Sequence, residues 1–251
     1  MITHITIMTG ASRGMGLAMA QQLLSPNHSL LCISRGISAP LGEMAHCIGA
    51  DLTQWQADLA DASQPAAQLR KWLADRYSVQ VEGVTLINNA AVIPAIVPLR
   101  AADTHALVQA LRVGLEAPMV LTAAFLAATQ TWPAARKVLN ISSGLGRHAM
   151  ASQSAYCAAK AGLDHFTRCL AQDEAAQANG AKVCALAPGV VDTDMQLQLR
   201  NADPSSFPNQ ASFVQLKQAH QLTSPHEAAK RVLAYLNRAD FGSQPVADVR
   251  D

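Results

Sequence analysis

Short apolar runs recur along this chain at 2–8, 29–34, 45–50, 83–88, 137–142, 182–187 and 245–249, with helix-patterned stretches between most of them. Runs that are apolar throughout read as strands buried on both faces, the condition of a parallel sheet. Parallel neighbours need crossovers, and right-handed crossovers through helices cover both faces of the sheet. The expected architecture is α/β: a doubly wound parallel sheet of about seven strands. With 251 residues, half of them hydrophobic, the chain can bury one such core, and a single domain over 1–251 is expected. Ligands in such a sheet sit at the carboxyl ends of the strands, so function is sought just past each run.

Past the first run comes "MTGASRGMGLAMAQQLL", residues 8–24, in which Gly10, Gly14 and Gly16 precede a helix in the spacing G-x-x-x-G-x-G. Glycine takes positive φ and leaves no Cβ in the way of a ligand. The helix behind it directs unpaired N–H groups and a positive dipole end into the turn, which makes a phosphate site. The spacing differs from the general dinucleotide fingerprint G-x-G-x-x-G, so corroboration has to come from other strand ends. Past the fourth run stands "LINNAA" (86–91), past the fifth "NISSG" (140–144), and past the sixth "APGVVDTDM" (187–195). "SAYCAAKAG" (154–162) lies between the last two.

In this order the motifs resemble those of the short-chain dehydrogenase/reductase family over essentially the whole chain, most like its sepiapterin reductase and benzil reductase branch. The resemblance implies a Rossmann-type fold, a nicotinamide cofactor and carbonyl reduction. The family's T-G-x-x-x-G-x-G corresponds to Thr9–Gly16, its N-N-A-G to Asn88, Asn89, Ala90 and Ala91, and its Y-x-x-x-K to Tyr156 and Lys160. Its catalytic serine lies 13 positions before the tyrosine, which selects Ser143 over Ser142. Cofactor contacts are thereby implied at Gly10, Ser12, Arg13, Gly14, Met15 and Gly16 in the first turn, and at Ser34 and Arg35 after the second run. Others are implied at Asn89, Ala90, Pro188, Gly189, Val191 and Thr193, and at Tyr156 and Lys160 themselves. Asp51 and Leu52, in "ADLT" past the third run, are expected at the adenine end.

Tyr156 and Lys160 are four apart and share one helix face. A positive charge at about 4 Å contributes roughly 4 kcal/mol at an effective dielectric of 20, or about three pKa units before desolvation takes some back. The expectation is a phenol whose pKa is lowered by Lys160, giving its proton to a carbonyl oxygen while Ser143 hydrogen-bonds that oxygen. Many family members carry an asparagine in the preceding helix that passes protons to the lysine through water. Gly114 stands at that position here, and it is expected to accommodate a bend or a close neighbour, since glycine in a helix interior costs about 1 kcal/mol relative to alanine.

Binders of NAD with this fold present an acidic residue about 20 positions past the turn. Here the second run ends "CISRG". With no carboxylate to repel a 2′-phosphate and with Arg35 and Arg13 available to hold one, NADPH is expected over NADH. The segment of about 193–222 is expected to form a substrate lid, "RNADPSSFPNQAS" (200–212) its loop and Phe207, Phe213 and Leu216 its apolar wall. Asp248 matches an aspartate that anchors the pterin in sepiapterin reductases, so it is a candidate substrate residue; a surface carboxylate closing the last strand is the other reading.

A net charge of +1, with no run of Lys or Arg, supplies no footprint for nucleic acid or an anionic membrane. Five singly placed cysteines read as reduced thiols, and the scattered histidines give no metal-ligand spacing. The amino terminus lacks the pattern of a signal peptide, and no span of roughly 20 apolar residues stands out. A cytoplasmic protein with a small-molecule carbonyl substrate and no metal is expected. Apolar surplus on the helices at 101–131 and 153–178 predicts a homodimer or homotetramer. The alternative function is an inactive NADP-binding sensor or scaffold of the same fold. A nucleotide-sugar epimerase fits less well, because such chains usually carry a second lobe.

Overall fold

The computed structural model describes residues 1–77 and 80–251. Among the described residues, seven strands form one all-parallel sheet in the order β3-β2-β1-β4-β5-β6-β7. They are β1 (His4–Thr9), β2 (His28–Ser34), β3 (Asp51–Gln56), β4 (Gly83–Asn88), β5 (Ala135–Ile141), β6 (Lys182–Ala187) and β7 (Val246–Asp248). One core packs Trp72, Leu121 and Phe125 against the sheet, and a second packs Met19, Leu233 and Phe241. Strand order reverses beside β1, whose two neighbours are β2 and β4, so the first turn opens at the switch point of the sheet.

Six of the seven apolar runs fall on strands; the third does not. Residues 45–48 end helix α2 (Ala39–Ile48), after α1 (Gly14–Leu23). Ser38 caps α2 by accepting from the Leu41 N–H, Pro40 pre-sets its first turn, and Gly49 closes it in the left-handed conformation with φ 66°. The true third strand reads "DLTQWQ". It is an edge strand with β2 as its neighbour, so its residues are half-buried or exposed and carry no continuous apolar signal.

Helix α3 (Ser63–Ala74) precedes β4. Between β4 and β5, α4 (Thr104–Leu111) and α5 (Ala117–Thr129) are joined by a π turn, Arg112–Glu116. The run 104–129 is long and apolar enough to cross a membrane, a stretch that the reading for membrane spans passed over. Half of its most apolar stretch is buried in this fold, and α5 lies against α3. Helix α6 (Ser154–Ala175) follows β5.

The expected loop at 200–212 is shorter than its Pro, Ser and Asn content suggests. Helix α7 (Asp194–Arg200) precedes it and α8 (Gln210–Gln218) begins within it. Asp192 pairs with Arg200 of α7 at 3.4 Å and with Lys217 of α8 at 2.5 Å. Helix α9 (Pro225–Leu236), capped by Ser224, leads toward β7. There Val249 N–H donates to Ala187 O at 2.9 Å and holds the carboxyl-terminal residues beside the end of β6.

Candidate active site

The turn after β1 is drawn tight by its glycines. Gly10 has φ +70°, and a Cβ there would stand 2.9 Å from Ala90 Cα; a Cβ at Gly16 would meet Gly10 O at 2.0 Å. Only glycine lets the first turn of α1 close onto the ends of β1 and β4. Asn89 fastens the junction: its Nδ2 donates to Thr9 O (3.1 Å) and Gly10 O (3.0 Å), while Thr9 Oγ1 accepts from Asn89 N and Ala90 N. Ala11 N–H donates to the buried Ser34 hydroxyl at 2.8 Å. Helix α1 starts with no side-chain cap and no acidic residue in its first turn, so its leading N–H groups and dipole face the opening. A bound phosphate fits that cradle.

A cleft of about 1080 Å³ runs from this turn across the carboxyl edge of the sheet. Gly10, Ser12, Arg13, Gly14, Met15 and Gly16 line one end with Ser34 and Arg35, and Asn89 and Ala90 line its floor. Ser143, Tyr156 and Lys160 line it farther along, as do Pro188, Gly189, Val191 and Asp248, while Thr193 lies back at the glycine turn, its Cγ2 3.6 Å from where a Gly14 Cβ would stand. Arg35 is exposed at the rim. Arg13 pairs with Asp194 at 3.0 Å, both side chains being about 70% exposed.

Asp51 and Leu52 are outside the cleft. They open β3 at the opposite, amino end of the sheet, where Asp51 accepts from Ser29 Oγ at 2.6 Å. Asp58 and Leu59 line the cleft in their place. The two stretches "ADLT" (50–53) and "ADLA" (57–60) share the same triplet seven residues apart, and the misplaced third strand selected the wrong one.

The two adjacent serines are separated by their environments. Ser142 is 2% exposed and spends its hydroxyl on Asp164, whereas Ser143 Oγ accepts from Leu145 N at 3.2 Å and is hydrogen-bonded to Tyr156. Lys160 is buried on the same face of α6; its Nζ donates to Ile141 O at 2.7 Å and sits 5.8 Å from the Tyr156 ring centroid. The expected lowering of the Tyr156 pKa is not present. Burial pushes the phenol up to about 12, with the Ser143 hydrogen bond pulling the other way. Burial also takes Lys160 down to about 8, against the pull of Asp164. Desolvation is the largest influence on both groups.

Gly114 lies in the π turn, where a Cβ would meet Ala159 Cβ at 3.0 Å. The glycine thus accommodates both a distorted turn and a close helix neighbour, one residue before Lys160. On the lid, Phe213 and Leu216 line the cleft, but Phe207 is fully buried and stacks on Phe213 at 5.7 Å. Phe207 supports the lid from beneath. Asp248 does line the cleft, and Arg250 holds both its carboxylate oxygens.

Sequence reasoning missed Asp164, Asp58 and the buried amide Asn140, and gave Asn88 a motif but no role. Asn88 Nδ2 donates to Asn140 Oδ1 at 2.8 Å, and Asn140 Nδ2 to Thr167 Oγ1 at 2.8 Å, tying β4, β5 and α6 together beneath the site. Asn88 was legible from "LINNAA", while Asn140 and Asp164 carried no signal beyond a polar residue in an apolar stretch.

The family model described as short chain dehydrogenase matches residues 4–204. Benzil reductase ((S)-benzoin forming) of Bacillus cereus is 34% identical over 235 residues, covering 94% of this chain and 94% of that protein. Sepiapterin reductase of Mus musculus is 31% identical over 259 residues, covering 98% and 97%. A solved short-chain dehydrogenase/reductase from Burkholderia vietnamiensis is 32% identical with a TM-score of 0.66, covering 99% of each chain.

Proposed function

Because this chain belongs to the short-chain dehydrogenase family, an oxidoreductase family using a nicotinamide cofactor, we propose that it is an NADPH-dependent carbonyl reductase acting on a ketone or vicinal diketone. The observation that carries the reading is the convergence of Ser143, Tyr156 and Lys160 at one end of a cleft whose other end is the glycine cradle. The cradle residues Gly10–Gly16 would hold the cofactor's phosphates, Asp58 its adenine end and Lys160 its nicotinamide ribose. When bound, a reduced nicotinamide supplies hydride to the carbonyl carbon.

The chain's own part is to place the carbonyl and deliver a proton. Ser143 and Tyr156 are hydrogen-bonded to each other, so a carbonyl oxygen set between the two hydroxyls would meet both. Tyr156 Oη gives its proton to that oxygen, and the Ser143 hydroxyl donates to it as negative charge develops. A phenol raised to about 12 is protonated at neutral pH, the state a reductase needs in its acid. The buried Lys160 ammonium stabilises the phenolate that remains. Phe213 and Leu216 on the lid supply an apolar wall, in keeping with the likeness to a benzil reductase.

Arg35 at the rim, with no carboxylate in "CISRG", supports the preference for the 2′-phosphate. Arg13 contributes by exchanging its exposed ion pair with Asp194 for the more highly charged phosphate. Val108, Leu111 and Met119 remain exposed on α4 and α5, which supports a homodimer or homotetramer. The deciding experiment follows NADPH and NADH oxidation with benzil and a panel of ketones in wild type and Arg35→Asp. A higher kcat/KM with NADPH, reduced in the variant, supports the reading. Equal use of NADH refutes the cofactor assignment, and oxidation with no carbonyl in the panel refutes the enzyme.

A further inference from the structure

We propose that Asp164 is a positioning residue of this site, clamping the segment 142–147 that carries Ser143 and keeping a negative charge behind Lys160; the inference rests on the carbonyl reductase reading. Asp164 lies one turn beyond Lys160 on the same face of α6 and is 1% exposed. Its Oδ1 accepts from Ser142 Oγ, immediately before Ser143. Its Oδ2 faces Arg147 Nε at 3.7 Å, four residues after Ser143.

The segment is shaped to reach the carboxylate. A Cβ at Gly146 would stand 2.8 Å from Asp164 Oδ2 and 3.0 Å from Lys160 O, so the turn closes on α6 only because it has none. The carboxylate therefore touches residues on both sides of Ser143 and fixes the angle at which that hydroxyl meets Tyr156. Asp164 Oδ2 has no hydrogen-bond donor among the described residues. A buried carboxylate with one oxygen held only by a 3.7 Å ion pair costs stability, and an apolar residue would pack the position at lower cost. What the charge does supply is a counter-ion. Burial pushes the Asp164 carboxyl up, and the groups that pull it back toward the charged form are Ser142 just past β5, Arg147 on the turn, and Arg168 and Lys160 on α6; Cys184 on β6 also faces it. Asp164 acts on Lys160 to raise its pKa against burial.

The test compares wild type, Asp164→Asn and Ser142→Ala for benzil reduction by NADPH between pH 6 and 10, together with NADPH affinity and thermal melts. Asp164→Asn is expected to lower kcat about tenfold with little change in NADPH affinity, because a small misplacement at the reacting centre is costly. It is also expected to move the alkaline limb of the kcat profile down by roughly half to one pH unit, as Lys160 loses its negative neighbour. Ser142→Ala should lower kcat about threefold and leave the limb in place, since the charge remains. A merely structural role would lower the melting temperature without moving the limb. Folded Asp164→Asn with kcat unchanged, or with an unmoved limb, overturns the proposal; if that variant does not fold, an unchanged kcat in Ser142→Ala overturns it. Inactivity of the wild type on every carbonyl overturns the reductase reading and this inference together. An active wild type beside an unaffected Asp164→Asn overturns this inference alone.

Discussion

Arg250 donates from Nε and Nη2 to the two carboxylate oxygens of Asp248, each at 2.7 Å. The paired guanidinium holds the Asp248 carboxyl below the usual carboxylate range. An aspartate so paired is turned toward the arginine, whose side chain is 65% exposed, and is a poorer anchor for the amino groups of a pterin than a free carboxylate. Wild type should therefore reduce benzil well and a pterin side-chain diketone poorly. Arg250→Ala should raise kcat/KM for the pterin by about tenfold and leave benzil within about threefold, as a released hydrogen-bonding anchor predicts. NADPH consumption with both compounds checks this, and Asp248→Asn in the same background should remove the gain.

The acid itself is the second target. Tyr156→Phe should lower kcat by about a thousandfold while NADPH affinity stays within a few-fold, because the hydroxyl acts in the transition state. With Tyr156 up at about 12 and Lys160 down at about 8, the phenol stays protonated as the ammonium is lost. The rate of reduction is thus expected to hold below pH 8 and to fall as pH rises through it. A steady-state profile at saturating NADPH reads the limb directly.

Gly114 bears on stability more than on turnover. Asparagine there presses its Cβ onto Ala159 Cβ, 3.0 Å away, and overpacking of this kind costs about 1–3 kcal/mol. In a chain of this size each kcal/mol is worth about 2–4 °C in Tm. The expected result for Gly114→Asn is a lower Tm with kcat within about tenfold of wild type, since a backbone carbonyl can already hold a relay water. A much larger gain in kcat would show that the proton relay is impaired in this chain.

Acid sensitivity should centre on His28. Burial takes its pKa from 6.5 to about 4, the neighbouring His4 adding to the effect, and its Nε2 lies 2.8 Å from Thr6 Oγ1. A histidine lowered in the fold favours the neutral form, so this contribution is intact above pH 6.5 and is lost as pH falls toward 4. The slope is on the order of 1 kcal/mol per pH unit in that window. His28→Gln should flatten the melting temperature between pH 6.5 and 4.5, which calorimetry across that range will show.

Much of this protein was legible in one dimension because much of it is local. Strands buried on both faces must be apolar throughout, so β1, β2, β4, β5 and β6 announced themselves. The glycine turn and the pair Tyr156–Lys160 are short-range patterns whose spacing dictates their geometry. Edge strand β3 was not legible, because one neighbour and one covered face demand no apolar run. That error put the expected aspartate at Asp51, at the wrong end of the strand, whereas the strand's carboxyl end gives Asp58 its place in the cleft. Other assignments were tertiary decisions. Whether Phe207 faced the cleft or the core depended on how α7 and α8 fold over Asp192. Whether Lys160 could lower the phenol depended on burial, which no spacing encodes and which here reverses the expected shift. Asp164 gains its meaning from a turn 20 residues away that glycine lets approach, and Asp248 loses its freedom to an arginine two positions on. Sequence determines which residues can do chemistry; burial and long-range packing decide which of them are free to do it.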